Sequence, residues 1–267
     1  MGRNKNIHHD MYINFLDSAT PIYERIIEIH HHVFFFLIIV LFFVSWILYR
    51  ILFSFWFFWG ENVKLNKNDF FLLNLLSRLK SIHNTRLEII WTLIPSIILI
   101  AIALPSFGLL YAMDDVIDPD MTLKIMGHQW YWSYEWNFIY LDTYILEFDV
   151  DSYMLPTSDL VLGDSRLLEV DNVVLLPIGT YIRANITSSD VLHCWAVPSL
   201  GIKVDAVPQR INSGIIYLQR TGMFFGQCSE ICGVNHGFMP IKLIGVSVLD
   251  YLDLYNLLIS SSLDENF

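Results

Sequence analysis

The chemistry of this chain is concentrated in one short segment, residues 227–239, which reads QCSEICGVNHGFM. Cys228 and Cys232 offer two thiolates, His236 offers an imidazole and Met239 offers a thioether. Thiolate and thioether ligands select copper over hard cations such as magnesium, calcium or manganese. A zinc site would not need the methionine, because zinc is held by thiolate, imidazole and carboxylate groups. The segment therefore predicts a copper site.

The second cysteine does not fit the simplest copper site. A mononuclear blue-copper site uses two histidines, one cysteine and a weak axial methionine, whereas this segment has one cysteine more and one histidine fewer. Two copper ions bridged by both thiolates would explain the set, each ion being completed by one imidazole and one weak axial ligand. The second histidine must then come from elsewhere, and residues 114–267 offer only His128 and His193. His193 stands before a proline-containing turn, which suits a ligand on a neighbouring loop.

Three strings of the sequence closely resemble subunit II of haem–copper cytochrome c oxidase. They are residues 127–135 (GHQWYWSYE), 193–201 (HCWAVPSLG) and 226–239 (GQCSEICGVNHGFM), and the resemblance extends from about Asp17 to Val248. It implies a binuclear CuA centre in which two cysteines bridge the copper ions. The implied ligands are Cys228, Cys232, His193, His236, Met239 and the backbone carbonyl of Glu230.

The resemblance also implies roles outside the copper ligands. Trp130 would receive electrons from bound cytochrome c, and Glu88 would mark the entrance of a proton pathway that continues in subunit I. The carboxylate of Glu230 would contribute to a magnesium site shared with subunit I. Three acidic residues would belong to the docking face for cytochrome c, namely Asp190, Asp171 and Glu135.

The residue types alone leave structural explanations open for several of these positions. Tryptophan and tyrosine are typical of a membrane-interface belt as well as of a sheet core, and a charge at the end of a span is commonly an interfacial anchor. A single acidic residue is most often solvated at the surface. Cys194 follows His193 on a strand-like segment, so we expect its side chain to point away from the site and to behave as a small apolar group.

Two long apolar runs indicate how the copper segment is held at a membrane. Residues 33–49 are seventeen uncharged residues, and residues 89–113 are twenty-five. With their flanks, both runs can cross a hydrocarbon core of about 30 Å as helices. Five basic residues in the connection place it on the inner side by the positive-inside rule. They are Lys64, Lys67, Arg78, Lys80 and Arg86.

The predicted organisation has four parts. Residues 1–32 form an outer-side segment, residues 33–113 form a transmembrane helix hairpin with an inner loop at 60–88, residues 114–250 form the metal-binding domain, and residues 251–267 form a tail. Short alternating segments after Met113 predict an all-β sandwich or barrel. They lie at 123–134, 166–176, 180–187, 191–196, 210–218 and 241–248, and a short amphipathic helix is predicted at 249–259.

In residues 180–187, for example, Ile182, Ala184 and Ile186 share one face, as in a half-buried strand. The resemblance narrows the fold to a membrane-anchored cupredoxin-like Greek-key β-barrel. Residues 136–150 look longer than the corresponding stretch of close relatives, and the sequence assigns this insertion no role.

Composition supports a membrane anchor that carries an acidic domain. The chain is 54% hydrophobic and only 16% charged, whereas soluble domains carry about 25% charged residues. The net charge of −11 arises in residues 114–267, which hold twenty acidic and seven basic residues. Such a domain attracts a basic partner, and we expect no nucleic-acid partner.

Together these features predict an oxidase subunit that accepts single electrons from cytochrome c and passes them to haem in subunit I. There, oxygen is reduced to water and protons are pumped. The expected cofactors are two copper ions and a magnesium ion at the interface with subunit I. The expected partners are subunit I, other oxidase subunits, cytochrome c and membrane lipid.

One alternative function remains, a membrane-tethered copper carrier without oxidase activity. A quinol oxidase subunit would lack the copper ligands, and nitrous oxide reductase would lack the two-helix hairpin. Abundant Phe, Ile, Tyr and Leu with few Ala favour an organelle gene. We therefore expect the mitochondrial inner membrane, with the domain in the intermembrane space, and keep a bacterial plasma membrane as the alternative.

Overall fold

The computed structural model describes residues 14–59, 83–114, 118–140 and 144–253. Helix α1 spans Pro21–Trp59 and helix α2 spans Thr85–Asp114. Each contains a stretch long and apolar enough to cross a membrane, and the side chains of these stretches are not buried within the protein. The helices therefore do not form the core of a soluble domain, as the two apolar runs predict. Most of the predicted inner loop, at 60–82, and the end of the predicted tail lie outside the described residues.

Helix α1 begins before the uncharged run, inside the segment that we expected to precede the membrane. The Oγ1 of Thr20 accepts a hydrogen bond from the backbone N–H of Tyr23 at 3.1 Å, and Pro21 occupies the first helical position. Both are favourable at a helix N-terminus, where backbone N–H groups lack partners within the helix. The Thr20 hydroxyl also donates to the carbonyl of Leu200 at 2.7 Å. The start of α1 therefore lies on the same side as the sheet domain.

Helix α2 begins at a capped turn. The Oδ1 of Asn84 accepts from the N–H of Leu87 at 3.2 Å, and Oε1 of Glu88 accepts from the N–H of Asn84 at 3.4 Å. Two N–H groups that the helix itself cannot satisfy are thus paired by side chains. Pro95 and Pro105 lie inside α2 without interrupting it, which membrane helices tolerate better than soluble ones.

Ten strands follow the helices, so the predicted fold class is confirmed: two long apolar helices and then a β-sheet domain. Their order in the sheets is β3-β2-β1-β5-β8, β4-β10-β9 and β6-β7. Most neighbours are antiparallel, but β1 pairs with β5, and β4 with β10, in parallel. The strands are β1 Met121–His128, β2 Tyr131–Tyr140, β3 Tyr144–Ser152, β4 Val174–Pro177, β5 Tyr181–Ser188, β6 His193–Val197, β7 Ile202–Ala206, β8 Asn212–Tyr217, β9 Gly222–Gln227 and β10 Pro240–Val246.

One hydrophobic core lies between the sheets. Ile182, Ala184 and Ile186 of β5 are fully buried, as the alternation in that strand predicts. Trp132 and Trp195 are the largest side chains in the core, and both keep their indole N–H groups bonded. Trp132 donates to the carbonyl of Met239, and Trp195 donates to the hydroxyl of Tyr134, both at 3.3 Å. Burial raises the pKa of Tyr134, which stays a neutral donor and acceptor inside the core.

Several predicted strand limits were wrong. The segment 123–134 is two strands, because the chain turns at residues 129–130. In the segment 166–176, regular pairing starts only at Val174. Strands β3, β7 and β9 were not predicted at all. Residues 136–150 extend the antiparallel pair of β2 and β3, in which Trp136 faces Phe148 and Tyr140 faces Tyr144.

Candidate metal centre

Two segments meet at one end of the sheet domain to form the candidate metal centre. His193 opens β6, and residues 228–239, which we call the ligand loop, connect β9 to β10. Gly226 makes this meeting possible, since a Cβ at that position would lie only 2.1 Å from the carbonyl oxygen of Ala196 on β6. The N–H of Ser229 then donates to the carbonyl of Cys194 at 3.0 Å. Strands β6 and β9 are thus close enough to bring His193 beside the loop.

The predicted donor atoms lie together around two sulfur atoms. The Sγ of Cys228 is 3.9 Å from Nδ1 of His193 and 3.4 Å from the carbonyl oxygen of Glu230. The two Sγ atoms are 3.9 Å apart. Each sulfur therefore has an imidazole nitrogen on one side and a weaker donor nearby.

The second sulfur repeats this pattern. The Sγ of Cys232 is 3.7 Å from Nδ1 of His236 and 3.6 Å from Sδ of Met239. Of the two candidate histidines outside the loop, the structure brings His193 to the site. His128 lies elsewhere, with Nδ1 at 2.7 Å from the hydroxyl of Ser189.

The donor set fits a pair of soft metal ions. The two cysteines are free thiols, as is Cys194, and a disulfide would need its sulfur atoms at about 2.05 Å. Sulfur atoms 3.9 Å apart can both bind one ion, because thiolate–metal bonds are about 2.3 Å long. Four donor residues are almost fully enclosed, with exposures between 0% and 6%: His193, Cys228, Cys232 and Met239.

Groups behind the ligands hold them in place. The Nε2 of His193 lies 2.9 Å from Oδ1 of Asp190, which leaves Nδ1 facing the sulfur atoms. A carboxylate on the far nitrogen of a metal-binding histidine fixes its tautomer and ring orientation. The bond from Trp132 to the carbonyl of Met239 fixes the far end of the loop. The sequence gives a weak signal for the role of Asp190, since it stands three residues before His193, but we had interpreted it only as a docking acid.

The two site thiols differ in acidity. Burial opposes ionisation of Cys228, but hydrogen bonds from His193 and from the backbone N–H groups of Cys194 and Glu230 lower its pKa. Burial and the neighbouring charge of Cys228 raise the pKa of Cys232. Cys228 therefore ionises first, and a bound cation would favour the second thiolate, since metal binding to thiols releases protons.

Cys194 is separated from the ligand set, as the sequence predicts. It is fully buried on β6, where it pairs across the strands with Asp205 of β7. Burial and a hydrogen bond with Asp205 raise the pKa of Cys194 to about 12. It therefore remains a neutral thiol that faces away from the two sulfur atoms of the site.

Trp130 packs directly on the ligand loop. A Cβ on Gly233 would lie 3.0 Å from Cζ2 of Trp130, so the indole contacts the residue next to Cys232. The neighbouring Gln129 donates from Nε2 to the carbonyl of Cys232 at 2.8 Å, and its backbone N–H donates to Asp190 at 2.7 Å. We did not identify Gln129 from the sequence, because an amide side chain carries no metal or redox signature.

The three predicted docking acids lie around the residue that follows Trp130. Tyr131 stacks on Tyr153 with ring centroids 4.3 Å apart, and Asp171 accepts from the backbone N–H of Tyr153 at 2.8 Å. Glu135 is four residues further along β2 and forms an ion pair with Lys124. Asp190 is only 31% exposed and is engaged by His193 and Gln129. Its negative charge is therefore less available to a partner than that of a solvated acid.

Glu88 and Glu230 occupy different surroundings. Glu88 is in the first turn of α2, and its carboxylate lies 2.9 Å from Nδ1 of His83. Glu230 turns its carbonyl towards Cys228, while the residue as a whole is exposed. One group of Glu230 can therefore serve the copper ligands while its carboxylate is free to face a different partner.

Comparison with known proteins gives matches across most of the chain. Residues 8–109 match the family described as cytochrome c oxidase subunit II, transmembrane domain, and residues 121–246 match the corresponding periplasmic domain. Cytochrome c oxidase subunit 2 of Cyanidium caldarium is 50% identical over 241 residues, which cover 90% of this chain and 88% of that protein. The mitochondrial subunit 2 of Glycine max is 52% identical over 241 residues, covering 90% of this chain and 57% of that protein.

A solved structure is also similar. The crystal structure of the periplasmic domain of subunit II of cytochrome oxidase from Bradyrhizobium japonicum shares 40% sequence identity, covers 54% of this chain and 96% of its own, and superposes with a TM-score of 0.46.

Proposed function

This chain belongs to the cytochrome c oxidase subunit II family, and from that premise we propose that its sheet domain is where electrons from cytochrome c enter the oxidase. As a family member it is one subunit of an oxidase complex, anchored in a membrane by its two apolar helices. The observation that carries the proposal is the ring of donor atoms around Cys228 and Cys232. The donors are the six that the resemblance implies.

These residues would hold a binuclear CuA centre. Both thiolates would bridge the ions, with His193 and His236 as imidazole ligands and with Met239 and the carbonyl of Glu230 as weak ligands. When bound, the copper pair supplies a one-electron acceptor: ferrous cytochrome c is oxidised to the ferric form, the pair is reduced by that electron, and the electron then passes to haem in subunit I. Oxygen reduction to water and proton pumping belong to the complex.

The burial of the ligands supports a resident cofactor over copper cargo. A carrier must release its metal to a partner, which favours exposed thiol or thioether groups. Here, Cys228, Cys232, His193 and Met239 are each no more than 6% exposed. The alternative of a membrane-tethered copper carrier is therefore the weaker of the two functions.

The protein residues provide the route to this site. Trp130 packs on Gly233, immediately beyond Cys232, and would receive the electron from the haem protein. Negative charge around Tyr131 would attract a basic cytochrome c, and such steering weakens as salt rises. Asp171 and Glu135 are the acids best placed for this, because Asp190 is already bonded to His193.

Two further acids would serve functions shared with subunit I. The exposed carboxylate of Glu230 offers a hard oxygen donor, the type that magnesium prefers, and would help hold a magnesium ion at that interface. Glu88, at the start of α2, would form the entrance of the proton pathway. The mitochondrial inner membrane is the proposed location, with the sheet domain in the intermembrane space, because the Glycine max relative is described as mitochondrial.

Copper content and electron paramagnetic resonance of the intact oxidase test the proposal. The wild-type complex should contain two more copper ions than a Cys228→Ser complex and should show the signal of one unpaired electron shared by two copper nuclei. A Cys228–Cys232 disulfide in copper-loaded oxidase would contradict the assignment, because neither thiolate could then bridge the ions.

A further inference from the structure

We infer that Gln129 is a positioning residue that holds the Trp130 indole against the ligand loop. The inference rests on the proposed function and deepens it, since it concerns how the ring that receives the electron is kept beside the metal ligands. Gln129 and Trp130 form the turn between β1 and β2, so a contact made by one constrains the backbone of the other.

Gln129 is bonded at two points to residues that belong to the site. Its side-chain Nε2 donates to the carbonyl of Cys232 at 2.8 Å, and its backbone N–H donates to Oδ2 of Asp190 at 2.7 Å. The other carboxylate oxygen of Asp190 holds His193. One residue is therefore connected to a bridging cysteine through its carbonyl and to an imidazole ligand through Asp190.

Trp130 itself has little to hold it. Its Nε1 is buried and has no hydrogen-bond acceptor among the described residues. The indole is placed instead by packing, because Cζ2 and Nε1 would be 3.0 and 3.3 Å from a Cβ on Gly233. The Nε2 of Gln129 lies against the same point, at 3.3 Å. The amide of Gln129 and the indole of Trp130 thus cover the Cys232–Gly233 peptide together.

This arrangement makes a directional prediction. Without the Gln129 donor, the carbonyl of Cys232 loses its partner and the turn loses its bond to the ligand loop. The indole should then spend less time in contact with Gly233, while the ligands, which are fixed by Asp190 and Trp132, should stay in place. Electron transfer from bound cytochrome c should slow without a change in the copper centre.

The variant Gln129→Met tests this, because methionine keeps the length and neutrality of the side chain and removes the donor. The intact oxidase is mixed with photoreducible cytochrome c at low ionic strength, and the transfer rate within the bound complex is measured. We expect a rate roughly two- to tenfold lower, the range set by the loss of one neutral hydrogen bond. Copper content, the paramagnetic resonance signal and the affinity for cytochrome c should be unchanged. Gln219→Met is the matched control, since Gln219 is exposed and distant from the loop in sequence.

A double-mutant cycle separates positioning from a general structural effect. If Gln129 acts through the indole, Gln129→Met should have no further effect on the rate in a Trp130→Phe background. A second pair of variants supports the same point. Gly233→Ala should slow transfer, since its Cβ meets Trp130, whereas Gly237→Ala in the same loop should not, because no atom lies within 4 Å of its Cβ.

Three results would overturn the inference. They are an unchanged rate in Gln129→Met, an altered copper signal in that variant, or an equal loss of rate with and without Trp130. None of these would touch the proposed function, which fails only if the wild-type oxidase itself lacks the copper pair or does not accept electrons from cytochrome c at this domain.

Discussion

Asp190 should control copper retention as well as partner docking, and Asp190→Asn tests this. The two carboxylate oxygens accept from Nε2 of His193 at 2.9 Å and from the N–H of Gln129 at 2.7 Å. Asparagine has one carbonyl oxygen in place of the two acceptors, so its NH₂ group would face a donor. Because Nδ1 of His193 faces the sulfur atoms, Nε2 must keep the proton and would meet that NH₂ group.

The expected loss follows from this geometry. Changing the outer partner of a metal-binding histidine typically lowers metal affinity 10- to 100-fold, which corresponds to about 1.4–2.7 kcal/mol. Hydrogen bonds to charged groups contribute about 1.5–3 kcal/mol each, so losing one such bond accounts for the range. We expect Asp190→Asn to bind copper 10- to 100-fold more weakly, measured by competition with a calibrated copper chelator.

Glu135→Gln is the matched control, because Glu135 pairs with Lys124 and contacts no ligand. It should keep wild-type copper affinity and weaken only the association with cytochrome c. That defect should shrink as ionic strength rises towards 0.15 M, where the Debye length is about 8 Å. Wild-type copper affinity in Asp190→Asn, with the same salt-sensitive binding defect as Glu135→Gln, would refute the argument and make Asp190 a docking acid alone.

Three further changes test the remaining assignments. Cys194→Ser should keep both copper ions by metal analysis, whereas Cys232→Ser should lose the pair; loss of copper in Cys194→Ser would make Cys194 part of the site. Glu230→Gln keeps the backbone carbonyl, so it should retain the copper signal and weaken manganese binding, followed by manganese paramagnetic resonance; loss of copper would show that the carboxylate itself matters to the copper site. Glu88→Gln should slow oxidase turnover with unchanged copper content, and normal turnover would leave Glu88 as a helix-capping anchor.

The ligand types could be predicted from the sequence because soft donors at close spacing have few other uses. Cys228, Cys232, His236 and Met239 fall within twelve residues, and the count of donors required one histidine from elsewhere. The choice of His193 over His128 was also confirmed. The membrane helices were predictable for a similar reason, since long uncharged runs are rare outside membranes.

Other parts could not be predicted because they depend on contacts between distant residues. Strand β9 carries Gly222 and Gly226, which weaken any strand pattern, yet Gly226 is needed where β9 meets Ala196. Gln129 and Cys232 are 103 positions apart in the chain, and no property of either residue indicates the bond. The role of Asp190 was missed because an acid near a histidine is a common pairing with many causes.

The attachments of the sheet domain explain how its site can keep one orientation at the membrane. The chain before α1 is bound to the domain by Arg220, which donates to the carbonyls of Ser18 and Asp17 at 2.8 and 2.9 Å. The chain after α2 is bound by Asp120 and Tyr181, each of which donates a backbone N–H to the other residue. A domain on one flexible connection would rotate freely. Bonds to both membrane-proximal segments restrict that rotation, as a site that must face cytochrome c and subunit I at fixed positions requires.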